Sequence, residues 1–236
     1  MILNATDIKN NFGKMLKLLD FEDIIIKKNG RVIAKVIKYE EPLDTDDTVR
    51  EEVMAYHPND RKITYEEFLK LTATSEERYE YIDGQVYLLA SPRVTHQMIT
   101  GHFYAQLIMK LKSKKCQPFI SPLDITLTVD KKKNVVQPDF GIICDLEVHV
   151  DDKDRYMGVP ALVAEVLSES SISKDMVKKL QTYMLSGVKE YWIIDPKSET
   201  VMVYAFKDYE IVFHTTYKKS EGVKSFHFKE LQVTWS

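Results

Sequence analysis

The run LVAEVL at residues 162–167 places a single carboxylate, Glu165, in the middle of an otherwise apolar stretch of strand-forming residues. The run lacks the period-two alternation of a half-exposed strand, so it predicts a strand covered on both faces inside a mixed sheet. A lone carboxylate in such a strand is costly unless it is paired, neutralised or bound to a metal. We therefore expect an α/β fold in which Glu165 has one of these three environments.

A second acid, Asp139, has a comparable position in the run VVQPDFGII at residues 135–143, which we expect to form one strand. Two carboxylates on neighbouring buried strands supply the oxygen ligands that Mg²⁺ and Mn²⁺ favour, and such ions retain several waters. A bound ion of this kind can activate a water, stabilise phosphate charge and orient the scissile bond. The pair predicts a metal-dependent phosphodiesterase, the alternatives being a Pro-Asp turn for Asp139 and a buried structural acid for Glu165.

The composition is that of an ordinary soluble globular protein of 236 residues. No segment approaches the roughly 18 uninterrupted apolar residues of a membrane span, and the first residues lack the features of a secretory signal. The net charge of −3 argues against a nonspecific nucleic-acid coat protein but does not exclude a nuclease. Cys116 and Cys144 are too few for a disulfide framework and lack metal-site spacing. We expect a cytoplasmic protein with no membrane partner.

Residues 1–41 form a self-contained pattern of strand, helix and hairpin. Leu3 begins a short strand, Thr6 can cap a helix, and Asn29-Gly30 between two apolar runs is a strong hairpin signal. This order and its residues resemble the N-terminal domain of Phd/YefM-type antitoxins. The resemblance implies a dimerising unit with operator DNA or a toxin-like protein as its partner, and the alternative is an additional structural hairpin on the main domain.

Residues 42–60 are acidic and polar and predict a linker, so the main domain spans residues 61–236. Thr64 with Glu67 forms a capping-box signature at a helix start, and Thr74 with Glu77 repeats it. The other predicted elements are a strand at residues 85–90, a long helix at 96–112, strands at 124–129 and 190–195, a helix at 173–185, and a meander at 201–206 and 211–217.

The main domain resembles the PD-(D/E)XK nuclease superfamily and, more closely, the bacterial restriction endonucleases of the Uma-two type. The resemblance is carried by several motifs in the family's order: YEYIDG at 79–84, SP at 91–92 with His96, QPD at 137–139, EVLS at 165–168, Asp175 with Lys179 and Tyr183, and GVKEYWIIDP at 187–196. It implies a mixed central sheet flanked by helices and Mg²⁺- or Mn²⁺-dependent hydrolysis of DNA. It also implies a homodimer, because a duplex has two strands to cut.

The resemblance also implies roles for particular residues. Asp139 and Glu165 would hold the ion, with the carbonyl of Val166 completing the site. Leu167 occupies the position at which the PD-(D/E)XK motif has its lysine, and Lys179 on the next helix takes the place of that lysine. At 3.6 residues per turn, Lys179 lies about 100° from the centre of an apolar face that includes Val177 and Tyr183, whereas Lys178 lies about 160° away and should face solvent.

Two further residues are implied by the same resemblance. Glu80 would sit on the first core helix near the metal, and His96 would approach the substrate phosphate from the start of the long helix. Each has a simpler alternative, since Glu80 can be an ordinary surface acid and His96 a structural or capping residue. No Gly-x-Ser-x-Gly elbow or phosphate-binding glycine loop supports a different chemistry.

Two other hypotheses for the whole chain remain. The first is a catalytically silent DNA-binding regulator or antitoxin-like protein on a nuclease scaffold, which the N-terminal unit favours. The second is a nuclease that the fused N-terminal unit restrains in cis.

Overall fold

The computed structural model describes residues 2–4, 24–28, 31–36, 62–111, 115–152, 155–168 and 174–235. The chain divides into two compact units, residues 1–49 and 50–236. The predicted linker lies outside the described residues. Within the described part of the chain, no helix is long and apolar enough to cross a bilayer.

The first unit contains a three-stranded sheet. Strand β1 (Ile2–Asn4) pairs in parallel with β2 (Ile24–Lys28), which pairs antiparallel with β3 (Arg31–Val36). The last pair of the hairpin, Lys28 with Arg31, leaves room for a two-residue turn, in agreement with the predicted hairpin. The predicted helix of this unit lies outside the described residues, so its likeness to an antitoxin stays a prediction.

The second unit begins with helix α1 (Tyr65–Thr72), which starts at the predicted capping box. The backbone N–H of Thr64 donates to the Glu67 carboxylate at 2.7 Å, and the backbone N–H of Glu67 donates to the Thr64 hydroxyl at 3.2 Å. These two bonds satisfy donors that a helix start otherwise leaves unpaired.

The second predicted capping box, at Thr74 and Glu77, is wrong. Strand β4 (Tyr79–Ile82) follows it and pairs antiparallel with β5 (Gln85–Leu88). Asp83-Gly84 between them has positive φ at both residues, which is the backbone of a tight hairpin turn. The aromatic and β-branched residues before this turn favour a strand over a helix.

Two sheets form the body of the second unit. The smaller has the strand order β5-β4-β8-β7, with β7 at Ile125–Val129 and β8 at Lys132–Val136. The larger has the order β13-β12-β11-β10-β9-β6, in which β10 and β11 are parallel and the other pairs antiparallel. Its strands are β6 (Gln117–Ile120), β9 (Phe140–Ile143), β10 (Leu162–Val166), β11 (Glu190–Asp195), β12 (Thr200–Lys207) and β13 (Glu210–Lys218). The expected mixed α/β architecture is confirmed.

The single strand predicted at residues 135–143 is in fact two strands, β8 and β9, in different sheets. The break falls at residues 137–139, where Pro138 has no N–H to offer a ladder. The N–H of Gln137 instead donates to the Glu80 carboxylate at 3.0 Å, and the carbonyl of Asp139 accepts from the Ser121 N–H at 2.9 Å. Asp139 therefore lies at the corner where the chain passes from one sheet to the other.

The larger sheet is covered on both faces. Helix α2 (Val94–Lys110) packs on one face, where Phe103 and Leu107 meet Phe140 and Trp192. The smaller sheet packs on the other face together with the helix at Leu180–Ser186. The short helix α3 (Leu146–His149) and the two-stranded ribbon of β14 (Val223–Lys224) and β15 (Gln232–Val233) complete the unit.

A disulfide joins Cys116 and Cys144, which flank the first pair of the β6–β9 ladder, Gln117 with Ile143. The sequence did not predict this pairing. The two cysteines are 28 residues apart along the chain, and only the antiparallel register of β6 and β9 brings them opposite each other.

Glu190, at the start of β11, is fully buried and fastens the C-terminal segment to the sheet. Its two carboxylate oxygens accept four hydrogen bonds of 2.7–3.1 Å, from the Trp192 indole, the Ser225 hydroxyl, and the backbone N–H groups of Phe226 and His227. A carboxylate with this many donors can remain buried without a cationic partner.

We predict that Glu190→Gln lowers the free energy of unfolding by about 1–3 kcal/mol, because the new NH2 group would face the donors whose hydrogen bonds the replaced oxygen accepted. Urea denaturation followed by circular dichroism measures the change. Glu210→Gln, at an exposed position of β13, is the matched control and should change stability by less than about 0.5 kcal/mol. Equal losses of stability in the two variants would contradict the conclusion that Glu190 fastens the C-terminal segment to the sheet.

Candidate active site

The ammonium group of Lys179 lies between two buried carboxylates from different sheets. Its Nζ is 2.7 Å from Glu80 Oε1, on β4, and 2.7 Å from Glu165 Oε1, on β10. Glu80 is fully buried, and only 2% of Lys179 and 4% of Glu165 is exposed. Buried charges require partners, and the contact with Lys179 provides one for Glu165, the isolated acid of β10.

Lys179 is the last residue of a π-helical turn, Lys174–Lys179, which continues into helix α4 (Leu180–Ser186). A π turn takes more residues than an α turn, so the phase predicted with 3.6 residues per turn does not hold here. Val177 shows the error, since it was placed on the apolar face but is 64% exposed. The expected contrast between the lysines is nevertheless present, because Lys178 is exposed and Lys179 is buried.

Tyr183 is a second donor to Glu165. Its hydroxyl lies 2.7 Å from the same Oε1 atom that Lys179 contacts, and the tyrosine side chain is fully buried. The sequence analysis used Tyr183 only as part of an apolar face and a family motif. Its position four residues after Lys179, on the same side of a helix, is the signal that could have assigned it to the site.

Glu80 lies on strand β4, which corrects the expectation that it sits on a core helix. The carboxylate accepts the backbone N–H of Gln137 at 3.0 Å in addition to the Lys179 contact. The side chain of Gln137 is itself fixed, since Arg78 Nε donates to its Oε1 at 3.0 Å and its Nε2 donates to Asp124 at 2.7 Å. Glu80 is therefore a buried member of the site and not a surface acid.

Asp139 reaches the end of β10, next to Glu165. Its Oδ2 accepts the Val166 N–H at 2.7 Å, and His96 Nε2 is 3.1 Å from the same atom. The β9–β10 register pairs Ala164 with Phe140, the residues that adjoin Glu165 and Asp139 along the chain. Asp139 therefore bonds the residue next to Glu165, and His96 reaches Asp139 from the first turn of α2.

Among the described residues, the cluster contains more acids than bases. Glu80, Glu165 and Asp139 contribute three carboxylates, and Lys179 contributes one ammonium. These four groups alone carry two more negative charges than positive ones when His96 is neutral. Such an excess at a partly buried site attracts a cation.

The residues fit a sparsely coordinated ion rather than a closed metal cage. Within the described ranges, no group of three or more His, Cys, Asp or Glu side chains is arranged to hold a metal. Asp139 and Glu165, with the backbone of Val166, offer a smaller set of oxygen ligands. Mg²⁺ is commonly bound by one or two carboxylates while waters and substrate phosphate complete its shell, so these residues suit that ion.

Comparison with known proteins gives a family, two relatives and a solved structure. A family described as "Uma2: Putative restriction endonuclease" matches residues 65–229. Two proteins of Synechocystis sp. (strain ATCC 27184 / PCC 6803 / Kazusa), both called uncharacterized, are also similar. One, slr1290, is 26% identical over 149 residues, which cover 62% of this chain and 76% of the relative. The other, sll1609, is 25% identical over 134 residues, covering 56% and 75% respectively.

A crystal structure from Anabaena variabilis ATCC 29413, described as a putative nuclease belonging to DUF820, has a similar fold. It superposes with a TM-score of 0.59 at 22% sequence identity and covers 73% of this chain and 94% of the other. The likeness extends over almost the whole of that protein, so the two share their architecture.

We predict that Lys179→Met lowers the free energy of unfolding by about 3–5 kcal/mol, because it leaves two buried carboxylates without their cation. Lys178→Met is the matched control, since the adjacent lysine is exposed and its bonds to Gln85 and Tyr87 should contribute about 0.2–1 kcal/mol. Chemical denaturation in the presence of a chelator measures both. A similar, small loss in the two variants would contradict the buried bridge.

Proposed function

We propose that this chain, which belongs to the Uma2 family, is a metal-dependent endonuclease that hydrolyses DNA phosphodiester bonds. The family match and the shared architecture support a nuclease. The single observation that carries the finer proposal is that the Asp139 carboxylate bonds Val166, the residue next to Glu165, whose own carboxylate contacts the buried ammonium of Lys179. Acids and an amine in this arrangement supply what phosphodiester hydrolysis needs.

In this proposal Asp139 and Glu165 hold Mg²⁺ or Mn²⁺, with the carbonyl of Val166 as a third oxygen ligand. The ion, when bound, supplies charge neutralisation at the phosphate and a more acidic water. The protein's part is to hold the acids in place. The Val166 N–H fixes one oxygen of Asp139, and the two donors on Oε1 fix the orientation of Glu165.

Lys179 has the second role in the reaction. Its ammonium would steady the attacking water or the phosphate oxygens as negative charge develops there. Glu80 is a positioning residue in this scheme, since its carboxylate holds the ammonium from the side of the smaller sheet. His96, 3.1 Å from Asp139, would lie where the start of α2 approaches the substrate phosphate.

A second candidate is a catalytically silent DNA-binding protein on the same scaffold. One observation favours it: Glu165 Oε1 already accepts from both Lys179 and Tyr183, as a satisfied structural acid would. Calorimetric titration with Mn²⁺ separates the candidates. A nuclease should bind the ion and lose binding in Glu165→Gln, whereas a silent scaffold should give no heat that depends on Glu165.

We predict that Asp139→Asn and Glu165→Gln each lower metal-dependent cleavage of supercoiled plasmid by at least about 100-fold, since each removes a charged ligand of the ion. Glu190→Gln is the matched control, because it changes an equally buried glutamate at the other end of the sheet. It should retain cleavage at temperatures where the variant is folded.

Gel assays with Mg²⁺, with Mn²⁺ and with a chelator measure the rates, and single-stranded DNA and RNA define the substrate class. Cleavage that persists in Glu165→Gln at the rate of Glu190→Gln would contradict the proposed site. Cleavage that is equal with metal and with chelator would contradict the proposed cofactor.

Tyr183 gives a prediction that tests positioning separately from stability. Tyr183→Phe removes the hydroxyl that donates to Glu165 and should weaken Mn²⁺ affinity by about 10-fold, as loss of a residue behind a metal ligand typically does. Tyr156→Phe is the matched control. Tyr156 is also buried, and its hydroxyl donates to the carboxylate of Asp145 at 2.6 Å, away from the acids of the site.

The two tyrosine variants should lose similar amounts of stability, because each loses one buried hydroxyl–carboxylate bond. Burial and the neighbouring carboxylate raise the pKa of Tyr156, so its hydroxyl stays a donor at neutral pH. Calorimetry on folded protein measures the metal affinity of each variant. Equal Mn²⁺ affinity in the two would show that Tyr183 is only structural.

A further inference from the structure

Helix α2 is apolar on two opposite faces. Its inner face, with Phe103 at the centre, covers the larger sheet. Its outer face carries four large apolar side chains that are between 53% and 80% exposed: Val94, Met98, Ile108 and Met109. A surface helix normally presents charged or polar residues on the side away from the core, so the outer face is unusual.

The residues of the outer face follow a regular spacing. Val94, Met98, Gly101, Ala105 and Ile108 are separated by four, three, four and three residues, which is the spacing of a helix–helix seam. At 100° per residue they all lie within about 40° of the direction opposite Phe103. We call these five residues, together with Met109, the outer stripe. It contains no charged residue.

Gly101 lies at the middle of the outer stripe and of the 17-residue helix. A glycine in a helix interior is destabilising relative to alanine, so its presence calls for a reason. Packing of the described residues gives none, because a Cβ built at Gly101 would meet no heavy atom within 4 Å outside the backbone of its own helix. A close approach by another backbone from outside would explain it, as small residues allow two helices to come near each other.

We propose that the outer stripe is the contact between two copies of this chain. In a two-fold interface the same surface of both copies comes into contact, so like charges on it would repel. An uncharged surface avoids this repulsion. The stripe is also self-complementary in size, since large side chains at both ends flank the small Gly101 and Ala105 where two crossing helices come closest.

The exposed area is sufficient for such a contact. The outer stripe presents roughly 500 Å² of apolar surface, the scale of the largest patch on a typical monomer. Two copies would together bury about 1,000 Å², which is the lower bound of a specific interface. The proposal does not depend on the nuclease chemistry, although it would join two active sites through the helices that carry His96.

Sedimentation velocity on the full chain, at concentrations up to about 100 µM, tests the proposal in the micromolar range expected of a small interface. The natural protein should sediment at twice 27.5 kDa. Met98→Glu should give monomers by setting like charges in the contact, and Gly101→Leu should do so by blocking close approach. Val148→Glu, on α3 at a position 77% exposed, is the matched control and should remain dimeric.

Gly101→Leu keeps the test decisive if Met98→Glu fails to fold, because the open space around Gly101 accommodates a side chain. Thermal melts of both variants confirm folding. A monomeric natural protein would overturn the proposal. A dimer that persists in both variants would also overturn it, by placing the contact elsewhere, for example in the unit formed by residues 1–49.

Discussion

A single ammonium group connects the two sheets of the main unit. Lys179 contacts Glu80 on the smaller sheet and Glu165 on the larger, at 2.7 Å in each case. All three groups are withdrawn from water, so removing Lys179 would take the cation away from two buried carboxylates. The packing of β4 against β10 and the shape of the candidate site therefore rest on the same contact.

The break in the chain at residues 137–139 gives this contact its surroundings. Because Pro138 ends one ladder, β8 and β9 enter different sheets, and the freed N–H of Gln137 binds Glu80 while the side chain of Asp139 turns to β10. The interruption at residues 137–139 thus provides a hydrogen-bond donor to Glu80 and also brings the Asp139 side chain to β10.

The sequence predicted the elements whose signals are local. Strand β11 and the capping box at Thr64 are as expected, since an apolar run and side-chain hydrogen bonds determine them. The predictions failed where contacts with residues distant in sequence determine the local structure. The π turn before α4 and the strand conformation around Glu80 depend on long-range contacts, and the capping signal at Thr74 competes with the Asp83-Gly84 hairpin and loses.

The central claim is that Asp139 and Glu165 bind one divalent ion beside Lys179. The most direct measurement is an anomalous difference map from a crystal of the full chain grown with Mn²⁺. The account predicts one strong peak about 2.1 Å from an oxygen of each carboxylate, the distance typical of small divalent cations. A map with no peak there, and with both acids still bonded only to protein donors, would contradict it.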